Sequence, residues 1–235
     1  MMLRRIVPDC ALMGLLMAVL FLFAAPVSAD TVWTDWTSAT VGAPGSAAGL
    51  LNGVSVTYAG QVIASVTNGT SNIWAPNSSF IGGTVTASPS TVGDDIRLNG
   101  TFTGTNTITF GSSQVNPVLA IWSLGQPGVA ASFIFNATPT LEAGGPNSQF
   151  GGSSITVNGN TVSGNEGNGV VQFTGTFNSI SWTNTPENFY AFTVGINGPS
   201  GPGPVDNVIN VIPEPATLLL FGAGLAGVLA LRYRK

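Results

Sequence analysis

Val54, Val56 and Tyr58 alternate with Ser55 and Thr57. That period of two predicts a half-buried strand with one apolar face. Ile96, Leu98 and Phe102 repeat the pattern against Arg97, Asn99 and Thr101, and Tyr190, Phe192, Val194 and Ile196 share one face of a further strand. Two stretches, 118–124 and 131–135, are apolar on both faces, which predicts central strands covered on both sides. Helix formers are scarce from 30 to 210, and short bursts of Val, Ile, Thr, Phe and Trp are separated by Gly, Asn and Pro. This is the pattern of an all-β domain, a single antiparallel sandwich or jelly-roll-like fold over 30–198.

The spacing also predicts partners. A first strand over 33–40 is expected, then a Gly/Pro/Ala loop over 41–49. Residues 61–67 are expected to fold back on 54–58 through Ala59-Gly60, and 106–110 on 96–102 through Gly104-Thr105. Strands 118–124 and 131–135 are expected to pair through 125–128, and 155–157 with 162 through Asn158-Gly159. Residues 68–80 read as irregular, 84–87 as a short strand, 89–93 as a turn and 143–152 as a glycine-rich loop. Strands over 138–142, 170–175, 177–183 and 189–196 complete the domain, and Pro/Gly-rich 199–210 reads as a linker. No fixed-period repeat is present, which disfavours a solenoid.

The two ends break the pattern. Arg4 and Arg5, an apolar run over 11–25 and Val27-Ser28-Ala29 read as a secretory signal peptide cut after Ala29, leaving Asp30 first. At the other end Pro213-Glu214-Pro215 precedes an apolar run over 216–231 and the basic group Arg232, Arg234 and Lys235. Sixteen helical residues reach about 24 Å, and snorkelling of the terminal basic side chains extends that toward a bilayer core. Basic residues stay cytoplasmic, so the β domain is expected across the membrane from them.

The order Pro-Glu-Pro, short apolar helix, basic end resembles the PEP-CTERM sorting signal of Gram-negative bacteria, a tail also called the ice-binding protein C-terminal domain. The resemblance covers residues 211–235. It implies an exported, membrane-anchored precursor cut near Pro213-Glu214-Pro215 by an exosortase, a membrane-embedded cysteine protease. It also implies a cell-surface or extracellular product associated with biofilm and exopolysaccharide.

Charge narrows the chemistry. From 30 to 212 the acids are Asp30, Asp35, Asp94, Asp95, Glu142, Glu166, Glu187 and Asp206, against Arg97 alone. With no basic patch, nucleic-acid binding is excluded. The chain has no histidine and only Cys10, which precedes the expected cleavage. Disulfides, thiolate or imidazole metal sites and Ser-His or Cys-His catalysis are therefore excluded from the mature chain, and no cofactor is expected.

Three chemistries remain open. A carboxylate glycosidase would need two acids from Asp94, Asp95, Glu166 and Glu187 facing each other across a cleft. Calcium would need oxygens such as those of Asp94-Asp95 or Asn165-Glu166-Gly167-Asn168, neither in an EF-hand register. These acids neighbour turn residues, where solvated charges normally fall, and Asp94-Asp95 has Arg97 within reach. A carbohydrate-binding module or adhesin would expose tryptophans: Trp74, in an irregular segment, is the better candidate, and Trp33 and Trp36 point to opposite faces of one strand. Trp122 and Trp182 read as core. The Thr84/Thr86, Thr101/Thr103 and Thr107/Thr109 pairs keep no common period and read as solvent faces of strands. The expectation is an exported, non-catalytic surface or matrix protein.

Overall fold

The computed structural model describes residues 30–197 apart from 68, 70 and 90–93. In chain order the strands are β1 (Thr31–Trp33), β2 (Asp35–Thr40), β3 (Gly42–Leu51), β4 (Val54–Val62), β5 (Ala64–Val66), β6 (Asp95–Leu98), β7 (Asn106–Val115) and β8 (Pro117–Leu124). There follow β9 (Ala131–Phe135), β10 (Thr140–Gly144), β11 (Ser153–Ser154), β12 (Thr156–Asn158), β13 (Thr161–Gly164), β14 (Gly167–Gln172), β15 (Thr176–Asn184) and β16 (Tyr190–Asn197). The first sheet runs β10-β14-β8-β16-β6-β5, with β1 added beside β16 and β11 beside β14. The second runs β12-β13-β9-β15-β7-β4-β3-β2. Among the described strands only the short β11–β14 pair is parallel. The fold is all-β, a sandwich of two antiparallel sheets.

Apolar side chains divide into two buried layers. Between the sheets lie Trp36, Tyr58, Phe133, Phe135, Trp182 and Phe192 with their aliphatic neighbours. Trp182 stacks on Tyr58 and Phe133 at centroid distances of 6.0 and 5.6 Å. A smaller layer covers the outer face of the first sheet, where Trp33, Trp74, Phe80, Val118, Ala120 and Trp122 meet. These two layers explain β8, all eight residues of which are buried. Leu119 and Ile121 enter the first layer, and Val118, Ala120 and Trp122 the second.

The double layer corrects the tryptophan expectations. Trp33 and Trp36 do point to opposite faces, yet they are 2% and 0% exposed. The expected single strand is broken at Thr34: β1 pairs with β16 in the first sheet, β2 with β3 in the second. Each indole therefore enters a different layer. Trp74 is also fully buried, edge-on to Phe80 at 5.3 Å, because its irregular segment folds back over the first sheet.

Strand partnership departs further from expectation. Of the loop expected over 41–49, residues 42–49 lie in strand, because glycine permits close approach: a Cβ on Gly49 would collide with the Asp35 carbonyl. Ala59-Gly60 is not a turn either. β4 continues to Val62, and β5 pairs with β6 in the other sheet. Gly60 instead leaves room for a buried polar knot, in which Tyr58 Oη donates to Asn106 Oδ1 at 2.7 Å and the Gln61 amide to the same oxygen at 3.0 Å. Gln61 Oε1 accepts from the Asn99 and Gly100 amides at 3.0 and 2.8 Å. That clamp fixes 99–105 as a crossover, so β6 and β7 lie in different sheets rather than in a hairpin.

Likewise β8 and β9 do not pair: Gln126 and Val129 close a tight backbone turn, and the chain leaves for β13 and β15 in the second sheet. The segment over 84–87 forms only a bridge between Gly82 and Val85. The 156–163 hairpin forms, but its two-residue turn is Gly159-Asn160, one residue beyond the expected Asn158-Gly159, because Asn158 pairs with Thr161 and the left-handed Gly159 opens the turn.

Candidate functional site

The site grows from an irregularity between β8 and β14. Leu124 pairs with Gly167 and Ile121 with Gly169, so Trp122 and Ser123 on β8 oppose Asn168 alone on β14. Such a bulge re-aims side chains. Ser123 and Glu166 both adopt left-handed backbone, at φ 57° and 54°, which only about a few per cent of non-glycine residues do. Asn168 holds the bulge together: its Oδ1 accepts from the Ser123 amide at 2.8 Å and from Asn147 Nδ2 at 3.0 Å, and its Nδ2 donates to the Glu166 carbonyl at 2.8 Å.

Two carboxylates meet there. Ser123 Oγ donates to Glu166 Oε2 at 2.5 Å, and the Gly125 amide donates to Glu187 Oε1 at 3.0 Å. Ser123, Glu166 and Glu187 line one cleft of about 240 Å³ with Gln126, Phe150 and Phe189. Burial, reinforced by the negative charge of Glu166 and opposed by the Gly125 amide, pushes the Glu187 carboxyl up to about 7. The two glutamates named from the sequence thus share one pocket.

Aromatic rings complete it. Phe150 stands on the glycine-rich loop, 56% exposed, held where Asn147 Oδ1 accepts from its amide at 2.6 Å. Trp122 packs against both Phe150 and Phe189, 5.4 Å from each ring. The Trp122 indole N–H is buried and has no hydrogen-bond partner. Arg97 lies over Phe189 at 5.5 Å. Trp122 is core, as expected. Phe150 and Ser123 were not legible as site residues, although Phe150 is the sole aromatic in the glycine-rich stretch over 143–152, a usable signal.

Asp94 and Asp95 behave otherwise than expected of solvated loop acids. They are 2% and 0% exposed. Asp95 accepts from Arg97 Nε and Nη2 at 2.5 and 3.2 Å and from Ser71 Oγ, so its pairing with Arg97 is realised. Burial, then the neighbouring Asp35, raise the Asp94 carboxyl to about 7. Among the described residues no three His, Cys, Asp or Glu side chains converge on a metal-sized site.

A second surface is the outer face of the second sheet. There Ser46, Ala48, Thr57, Ala59, Thr107 and Thr109 line a shallow, uncharged groove of about 400 Å³. Asp30 is exposed at the start of the described chain. Ala29, the sorting triplet Pro213-Glu214-Pro215, the 216–231 span, and Arg232, Arg234 and Lys235 lie outside the described residues. Among the described residues no helix is long and apolar enough to cross a membrane.

Residues 211–235 match the family profile of the PEP-CTERM protein-sorting motif. Among curated proteins and solved structures nothing matches the chain. The motif marks an exported protein processed by an exosortase.

Proposed function

We propose that the chain is a non-catalytic surface or extracellular-matrix protein, whose β-sandwich is delivered across the inner membrane, anchored through 216–231 and released when an exosortase cuts near Pro213-Glu214-Pro215. The observation that carries this is the sorting motif over 211–235. A leader with Arg4, Arg5 and a small-residue site at Ala29 supplies the other half of an export route. The sandwich suits a matrix setting: its stability comes from two aromatic-rich layers and not from disulfides, and its outer sheet face is small, hydroxyl-bearing and uncharged. Exopolysaccharide is the partner this surface suits.

Intact mass of the protein from strains with and without a working exosortase tests it. The product should lose the 216–235 segment only where the protease is present, and replacement of Pro213, Glu214 and Pro215 by alanine should leave it whole. An uncut chain in the competent strain would make the tail a plain anchor.

One observation favours a second reading, a carboxylate glycosidase: Glu166 and Glu187 line the same cleft, and Glu187 holds its proton to about pH 7, as a general acid must. Release of p-nitrophenol from aryl glycosides, lost in Glu187→Gln, would establish it.

A further inference from the structure

We infer that the cleft between Glu166 and Glu187 is a binding subsite for a single neutral sugar ring, with Phe150 as its stacking face and Glu166, Glu187, Gln126 and Ser123 as its polar contacts. The inference deepens the matrix reading and rests on it for the source of the sugar.

Three observations converge on that ligand class. Size comes first. A cleft of about 240 Å³ is smaller than the roughly 300 to 1,000 Å³ of drug-sized sites, so it takes one small ring. Charge comes second. Two carboxylates repel an anion, while carboxylate, amide and hydroxyl groups at Glu166, Glu187, Gln126 and Ser123 match the alternating donors and acceptors of a polyol.

The third is the aromatic wall. Phe150 is more than half exposed and held in place through its own amide by Asn147. An apolar C–H face can lie on such a ring, as on any rigid aromatic surface.

Trp122 backs that wall from the core, its ring packing on both phenylalanines that line the cleft. Two phenyl rings supply no oxygen ligands, which argues against calcium. Both glutamates already accept one protein hydrogen bond, from Ser123 Oγ and the Gly125 amide, and each keeps a second oxygen for a ligand hydroxyl.

The test uses the full chain in a detergent without sugar headgroups. The probes are methyl glycosides of glucose, galactose, mannose and N-acetylglucosamine, read by saturation-transfer NMR and tryptophan fluorescence. At least one should bind saturably in the millimolar range. Phe150→Ala should weaken it by about tenfold through loss of the stacking face. Gln126→Ala, which removes one polar contact from the cleft wall, should weaken it several-fold while the melting temperature stays level.

Failure of all four glycosides to bind, or binding indifferent to both substitutions, would overturn the inference and leave exosortase processing untouched. A calcium-induced rise in melting temperature lost in Glu187→Gln would replace it with a cation site. Turnover of an aryl glycoside would keep the sugar subsite and overturn the non-catalytic reading instead.

Discussion

Asn168 Oδ1 accepts a hydrogen bond from the Ser123 backbone amide at 2.8 Å, across the one place where β8 and β14 fall out of register. The same buried side chain ties down Asn147 and the Glu166 carbonyl. Asn168→Leu would strand at least the Ser123 N–H and the Asn147 amide, each costing about 1 to 3 kcal/mol when buried and unpaired. A loss of roughly 2 to 4 kcal/mol is expected, or about 5 to 15 °C in melting temperature. Thermal unfolding by circular dichroism measures it, and a change below about 0.5 kcal/mol would show that water takes over the freed groups.

Trp33 and Trp36 sit three residues apart in different layers, so both should be costly to truncate. Trp36→Ala opens a hole between the sheets and Trp33→Ala one under the outer loops, each worth roughly 3 to 5 kcal/mol. A surface tryptophan would cost about 0.5 kcal/mol or less. Chemical denaturation of the two variants separates these cases. A near-silent Trp33→Ala would mean that the outer layer is not a second core.

Period-two alternation was enough to place β4, β6 and β16, and a run apolar on both faces to place β8, because side-chain direction in a strand is a local property. Partnership was not legible. Ala59-Gly60 and Gly104-Thr105 carry the residues of tight turns, but Gln61 and Asn106, distant in sequence, convert the first into a polar knot and the stretch after β6 into a crossover. Glycine at 49 and 60 serves close approach rather than reversal, and composition cannot tell these apart. At the site the two glutamates could be named from sequence, since they are two of only eight acids over 30–212. Their juxtaposition could not, because it depends on the Asn168 bulge and on a loop that returns Phe150 to Trp122.

The two raised carboxyls set an unusual pH response. Asp94 and Glu187 titrate near 7 in the folded chain, against ordinary values of 3.8 and 4.5. Between those limits the folded state holds protons that the unfolded state has released, so stability from these groups is complete below the ordinary range and is lost as pH rises through 7. Melting temperature should therefore increase from pH 8 to pH 5. Asp94→Asn and Glu187→Gln should each flatten the slope, and the double variant should flatten it most. A melting temperature that falls on acidification over this range would refute both assignments.

Asp95 and Arg97 make the last case, which also concerns metal. Asp95 is fully buried and spends its oxygens on Arg97 and Ser71, while Arg97 is the only basic residue between 30 and 212. Arg97→Met would leave a buried carboxylate uncompensated, at roughly 3 to 5 kcal/mol. Adding Asp95→Asn should restore most of that, since replacing both partners removes the orphaned charge. A calcium ion at this acid would behave differently: it would substitute for the guanidinium, so Arg97→Met would be rescued by added calcium and wild type would lose stability in EDTA. We expect neither. EDTA should leave the wild-type melting temperature unchanged, and so should reductant, because residues 30–235 contain no cysteine. Differential scanning calorimetry with and without EDTA decides the point, and a fall of several degrees on chelation would show that these carboxylates hold a metal.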